Sequence, residues 1–285
     1  KANGDDELAV MNYNKSIKLN PFEEKYLKAI KAIAQKMAKN GDKEYRRQEF
    51  YSAIENYKKA INYFPEYTTA LFKIARTYYK LKDYENTKHY LVKNLEIDPK
   101  QEQSEKMLGD IYRGMGDMGN AMIHYNKAIA INDNYYKAYY SLGTALIKEG
   151  RFNDAKIALN QVIMIDSTYA KAFGTLGHVE QELGNIEIAI DNYRNATKLD
   201  PNSYDIYYRL ATVFNMQKQF EDAKLSAKSC LNIKRNYAPA YFELGIAEKA
   251  LGKKPAAIDA FKKAKKDKNW RKSADFQLDL LQKGL

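Results

Sequence analysis

Along the chain, apolar residues fall at i, i+3 and i+4 in two blocks separated by a short break, and the two-block unit returns every 34 residues. A helix brings such positions onto one face, so each unit predicts two amphipathic helices joined by a turn. Three residue classes keep one phase. Small side chains stand at Ala53, Thr87, Ala121, Ala155, Ala189, Ala223 and Ala257. A second small series runs through Ala75, Gly109, Gly143, Gly177, Ala211 and Gly245, each preceded by Ile or Leu. Bulky side chains follow the first series four positions on, at Tyr57, Leu91, Tyr125, Leu159, Tyr193 and Phe261, with Ala227 in that place once. Small residues in register let neighbouring helices approach closely.

A helical-hairpin period of 34 residues carrying these classes resembles the tetratricopeptide repeat family. YKAYYSLGTALIKEGRFNDAKIALNQVIMID (136–166) and YAPAYFELGIAEKALGKKPAAIDAFKKA (237–264) are near-consensus units. The resemblance covers nearly the whole chain. It implies an all-α, right-handed superhelical solenoid of stacked helix–turn–helix repeats, whose first helices line a concave wall on which ligands lie.

The stretch RGMGDMGNAM contains Gly114-x-Gly116-x-x-Gly119, the spacing of a dinucleotide fingerprint. That fingerprint needs a strand before it and a helix after it. The preceding KQEQSEKMLGDIYRG has no strand alternation, so the glycines read as a turn. Gly116 shares a repeat position with Gly150, Gly184 and Gly252, just after the first helix, where a left-handed conformation is expected. Gly114 and Gly119 flank that turn and are expected to loosen it. Pro21, Pro65, Pro99 and Pro201 close second helices, and Pro255 sits just inside the start of one.

One solenoid is expected over residues 1–285, with a half repeat at 1–21, a lengthened repeat at 22–67, six regular repeats over 68–271 and a capping helix at 272–285. The half repeat has Gly4 at its turn and Ala9, Tyr13 and Ser16 in phase. With its first helix missing, the chain is expected to be a fragment of a longer protein or to have a processed N-terminus. The apolar face of residues 8–19 is then bare, which offers self-association. From Ala9 to Ala53 the step is 44 residues, ten beyond the period. The extra length is expected in longer helices. At the other end Trp270, Ala274, Leu278 and Leu281 make one stripe, and Asp279 takes the slot of a small residue, as a polar-backed cap requires.

Composition changes this picture little. The chain is 45% hydrophobic and 29% charged, enough for a continuous core, and no apolar run approaches a membrane span. One cysteine, Cys230, excludes an internal disulfide framework. It occupies a packing position otherwise filled by Ala60, Ala128, Ala196 and Ala264. The three histidines, His89, His124 and His178, fall in different repeats, too far apart for a triad or a metal cluster. No catalytic, cofactor or metal site is read, and none is expected. The abundance of Lys, Asn, Ile and Tyr resembles that of exported repeat proteins of Bacteroidota, which implies a lean to the periplasm beside a cytoplasmic alternative.

The candidate groove comes from counting in phase along the first helices. The fifth position carries Phe72, Lys106, Tyr140, Gly174, Tyr208 and Phe242, and its aromatics are not needed for the hairpin core. The ninth carries Arg76, Asp110, Thr144, His178, Thr212 and Ile246, and the twelfth Tyr79, Arg113, Ile147, Gln181, Asn215 and Lys249. Aromatics beside arginine are what binding hot spots use. The expected ligand is a protein segment with apolar anchors and acidic groups, the latter held by Arg76, Lys106 and Arg113. Gly174 is expected to floor a pocket walled by Tyr140 and Tyr208, with His178 as a polar contact. The chaperone-tail clamp known in this family is incomplete, because Asp110 follows Lys106 where Asn is required.

The leading expectation is a non-enzymatic scaffold. The alternatives are a nucleic-acid binder or the recognition arm of a larger enzyme or assembly. The net charge of +11 permits the former. Its candidate surface is GKKPAAIDAFKKAKKDKNWRK (252–272), with nine basic side chains and two acidic ones.

Overall fold

A computed structural model describes residues 2–19 and 24–283. Among them lie sixteen helices: α1 (Ala2–Leu19), α2 (Glu24–Arg46), α3 (Phe50–Tyr63), α4 (Thr68–Lys80), α5 (Tyr84–Ile97), α6 (Glu102–Gly114), α7 (Met118–Ile131), α8 (Tyr136–Lys148), α9 (Phe152–Ile165), α10 (Ala170–Glu182), α11 (Ile186–Leu199), α12 (Tyr204–Met216), α13 (Phe220–Ile233), α14 (Ala238–Ala250), α15 (Lys254–Ala264) and α16 (Arg271–Gln282). The chain divides into two compact units, Lys1–Ala138 and Tyr139–Leu285, with the boundary inside α8. In the first, α2/α3, α4/α5 and α6/α7 are hairpins, each packed on the next. In the second, α10/α11, α12/α13 and α14/α15 repeat the arrangement and α16 covers α15. These are the stacked hairpins expected from the sequence.

The two small-residue series have a steric origin. At Gly41, Gly109, Gly177 and Gly245 an added Cβ would lie 2.5–2.7 Å from the ring of Tyr57, Tyr125, Tyr193 or Phe261. Those rings are fully buried and lie across the glycine backbone of the first helix. Gly143 faces the smaller Leu159 at 3.1 Å. Where the bulky position is Leu91 or Ala227, the facing residue is Ala75 or Ala211. The two positions vary together in volume, as a close-packed interior requires.

The turns are equally regular. Gly116 has φ +85°, and Gly150, Gly184 and Gly252 take the same left-handed conformation. After it, the Asp117 N–H donates to the Tyr112 carbonyl at 2.9 Å, which closes the helix end. Gln48, Lys82 and Lys218 stand at the same repeat position with φ of 58–65°. A side chain there is strained, so Lys82→Gly and Lys218→Gly should each raise stability by about 0.5–1 kcal/mol. Urea unfolding of the single and double variants checks this, and an unchanged or lower midpoint would contradict it. Gly114 ends α6 and Gly119 lies in the first turn of α7, so both are helical.

Glu24–Arg46 is a single helix of 23 residues, where α4, α6, α10, α12 and α14 have 13. Gly4 is not at a turn, because it lies inside α1. Pro21 lies outside the described residues. At the other end Ala274 and Leu281 of α16 are buried, Leu278 packs on the Phe261 cluster and Asp279 pairs with Lys283 in solvent.

Candidate functional site

The first unit places its candidate groove residues in structural work. Phe72 and Tyr79 pack against the cluster of Ala75, Leu91, Leu108 and Ile111. The guanidinium of Arg76 lies 4.7 Å from the Tyr45 ring centroid. Lys106 and Arg113 both reach Asp110, at 2.6 and 3.5 Å. The hydroxyl of Tyr125 also donates to Asp110, at 2.9 Å. One turn pattern explains this carboxylate. It stands directly after the glycine that the tyrosine ring crosses, so the phenol emerges beside it. Asp42 repeats the motif, accepting from Tyr57 at 2.9 Å and pairing with Lys73 at 2.8 Å. The expectation that Lys106 and Arg113 await acidic groups is therefore corrected, since the chain supplies the acid itself.

In the second unit, a cavity of about 390 Å³ is lined by Tyr140, Lys171, Gly174, Thr175, His178, Asp200, Ser203, Asp205, Ile206 and Arg209, with Ala170 at its edge. Three sequence candidates, Tyr140, Gly174 and His178, thus meet at one place. The Tyr140 hydroxyl is 3.2 Å from Thr175 Oγ1, and its ring stands edge-on to Tyr169 at 5.2 Å. Two details differ from expectation. Gly174 is buried, and an added Cβ would lie 2.7 Å from Ile206 Cδ1. The glycine therefore admits Ile206 of the next first helix. Tyr208 does not line this cavity and turns to Tyr237, 5.6 Å away.

The residue that sequence reasoning missed is Arg209. It stands at the sixth repeat position, beside those chosen as groove-facing, and Lys73 in the same row was the available signal. Arg209 is half-buried, lies near enough to the Tyr193 phenol for its charge to act on it, and has no carboxylate partner among the described residues. Burial pushes that phenol up to about 12, against the pull of Arg209. The same guanidinium adds to burial in holding His178 below the usual histidine range. Glu182 is 3.7 Å from His178 Nδ1, too far to bond, and this nitrogen is buried without a partner. The cavity lining carries two cations, Lys171 on α10 and Arg209 on α12, and two carboxylates, Asp200 and Asp205, at the α11–α12 corner.

The last two candidates are also engaged. Phe242 packs between Phe261 and Trp270, at 5.5 and 5.0 Å. Phe72 and Phe242, two of the four fifth-position rings, thus do pack on the core, because a first helix is close enough to the next hairpin for a ring to bridge them. Asn215 donates its amide to the carboxyl and carbonyl of Glu243, at 2.8 and 2.9 Å. Glu243 is buried, and desolvation raises its carboxyl above the usual range despite the bond from Asn215. The folded state therefore resists the charged form. Stability from this group is greatest at acid pH, and falls as pH rises through the unfolded carboxylate range up to the folded value. Glu243→Gln keeps the Asn215 bond and removes that loss. Near neutral pH it should stabilise by about 1 kcal/mol, with no gain in acid. Urea midpoints across pH check this, and equal destabilisation at every pH would contradict it.

Among the described residues no group of three or more His, Cys, Asp or Glu side chains could hold a metal ion. Cys230 is buried, and burial pushes its thiol up to about 11. His124 pairs with Glu105 at 2.6 Å and stacks on Tyr112. In the basic tract, Lys253, Lys263 and Lys265 pair with Glu221, Asp259 and Asp275. Lys254, Lys262, Lys266, Lys268, Arg271 and Lys272 are exposed. No described helix is long and apolar enough to cross a membrane.

A profile described as TPR repeat matches residues 41–82, 109–150 and 177–218, and one described as tetratricopeptide repeat matches 68–101 and 136–169. The chain is 34% identical over 77 residues to small glutamine-rich tetratricopeptide repeat-containing protein 2 of Saccharomyces cerevisiae, covering 27% of this chain and 22% of that one. It is 25% identical over 267 residues to a TPR repeat-containing protein of Methanocaldococcus jannaschii, covering 90% of this chain and 42% of that one. It thus spans less than half the length of these curated relatives. Among solved structures, MamA shares 28% identity over 57% of this chain and 89% of its own, with a TM-score of 0.54. The C-terminal part of a TPR protein from Cytophaga hutchinsonii shares the fold at 18% identity, over 84% of this chain and 98% of its own, with a TM-score of 0.68.

Proposed function

The chain belongs to the tetratricopeptide repeat family, and from that premise we propose that its second unit binds an acidic protein segment in the cavity between α8, α10 and α12. Proteins of this fold are general scaffolds for protein–protein interaction and are generally non-enzymatic. The observation that carries the finer reading is Arg209, a half-buried guanidinium that faces the cavity and has no carboxylate partner among the described residues. A partner carboxylate would complete a charge-assisted pair there, in the bidentate geometry a guanidinium favours. Tyr140 offers a ring face and a hydroxyl beside it, and Asp200 and Asp205 orient any cation of the partner towards the α11–α12 corner. A random-peptide display selection against the whole chain tests this reading. Acidic sequences should be enriched, and Arg209→Ala and Tyr140→Ala should lose them. If charge reversal within 262–272 abolishes binding while both of those variants bind normally, the basic face is the site. Steep salt dependence would then point to a phosphate backbone.

A further inference from the structure

We infer that Tyr204 and Tyr237, the latter braced by Tyr208, form an aromatic cage for an alkylammonium group, and that the chain's own Lys234 occupies it in this structure. Tyr204 and Tyr208 lie one turn apart on α12, and Tyr237 opens α14. The Tyr237 ring stands edge-on to both, with centroids 5.3 and 5.6 Å apart and interplanar angles of 77° and 90°. The Lys234 ammonium lies 4.2 Å from the Tyr204 centroid and 4.6 Å from that of Tyr237. Both distances are within the range of cation–π attraction. No carboxylate pairs with Lys234 among the described residues, so the rings alone hold the charge. Burial raises the Tyr237 phenol, and the Tyr208, Tyr204 and, last, Asp205 groups add to that shift.

A second observation is independent of the rings. Lys234 caps α13 at a repeat position occupied elsewhere by Asp98, Asn132, Asp166 and Asp200. Each of those side chains accepts from the N–H two residues on, at 2.9–3.1 Å, and closes its loop. Lysine cannot accept that bond. That closure is absent at this corner, as it is at Phe64 in the same repeat position, and here a cation lies on aromatic faces instead. Lys234 is exposed, so a competing cation can displace it without opening the fold. The site adjoins the Arg209 cavity, which Asp205 lines, but does not depend on a partner binding there.

Tetramethylammonium is the probe, titrated into the whole chain by NMR. In the wild type, ring currents should hold the Lys234 side-chain Hε resonances upfield, and the probe should return them towards solvent values. Lys234→Ala should bind the probe roughly tenfold more tightly than wild type. Adding Tyr204→Ala should remove that gain, whereas Tyr204→Phe should keep it. Parallel arms with choline and with a capped trimethyllysine distinguish a free small cation from a lysine side chain of a partner. The inference fails if the Lys234 resonances are unshifted in the wild type. It also fails if Lys234→Ala and its Tyr204→Ala double variant bind equally, or if neutral neopentyl alcohol binds as well as the cation.

Discussion

Replacing Gly177 by Leu will cost at least about 4 kcal/mol of unfolding free energy, the range reached only when a buried fit is broken outright. Even a single methyl is obstructed, because a Cβ at this site would lie 2.7 Å from two atoms of the Tyr193 ring and 3.1 Å from the Ala189 carbonyl. The ring cannot swing aside. Tyr193 is fully buried, and its hydroxyl donates to Gln181 at 3.0 Å. Gly177→Ala sets two effects against each other. Alanine favours the helix by about 1 kcal/mol, and overpacking costs about 1–3 kcal/mol, so a net loss of about 1–2 kcal/mol is expected. Combining it with Tyr193→Leu reproduces the natural pair Ala75 and Leu91, and should recover part of the sum of the single losses. A coupling of about 1 kcal/mol or more in a double-mutant cycle, read by urea unfolding, is the expected result. Strict additivity would show that the glycine and the ring are not matched to each other.

Arg209→Ala will weaken binding of an acidic segment by about 2–3 kcal/mol, the size of a charge-assisted bond at a binding hot spot. Arg209→Lys should restore only part of it, because an ammonium cannot make the two-pronged contact. The fold should hold, since among the described residues no carboxylate of the chain pairs with Arg209, and its charge only nudges the Tyr193 phenol. His178 supplies a second reading of the same event. In the free protein, burial and then the Arg209 charge keep its pKa below the usual histidine value. A bound carboxylate offsets the guanidinium and raises that pKa, so binding takes up a proton. Affinity should therefore rise as pH falls through the histidine range, and Arg209→Gln should raise the His178 pKa in the absence of ligand. Isothermal titration of selected acidic peptides at several pH values checks the first point, and histidine NMR the second. Unchanged affinity in Arg209→Ala would remove this residue from the site.

The hairpins, their order and the turn glycines were all legible in the chain before any coordinates, for a physical reason. A repeat buries the same positions of every unit, so the helical period is written seven times in one phase and local signals accumulate. The left-handed turn at Gly116 follows from backbone sterics within a few residues, and so does the stop at Pro65, Pro99 and Pro201. Repeat phase also brought Tyr140, Gly174 and His178 to one place, because positions four apart on a helix share a face.

Tertiary structure alone decided what those side chains do there. Counting positions cannot show that Asp110 already pairs with both Lys106 and Arg113, or that Phe242 is held between Phe261 and Trp270. Both depend on side-chain reach across a helix interface. Gly174 reads as empty space in the sequence, yet the neighbouring helix fills that space with Ile206. Arg209 becomes conspicuous only by what is missing around it. The absence of a partner is a property of distances between helices, and no periodicity along one chain records them.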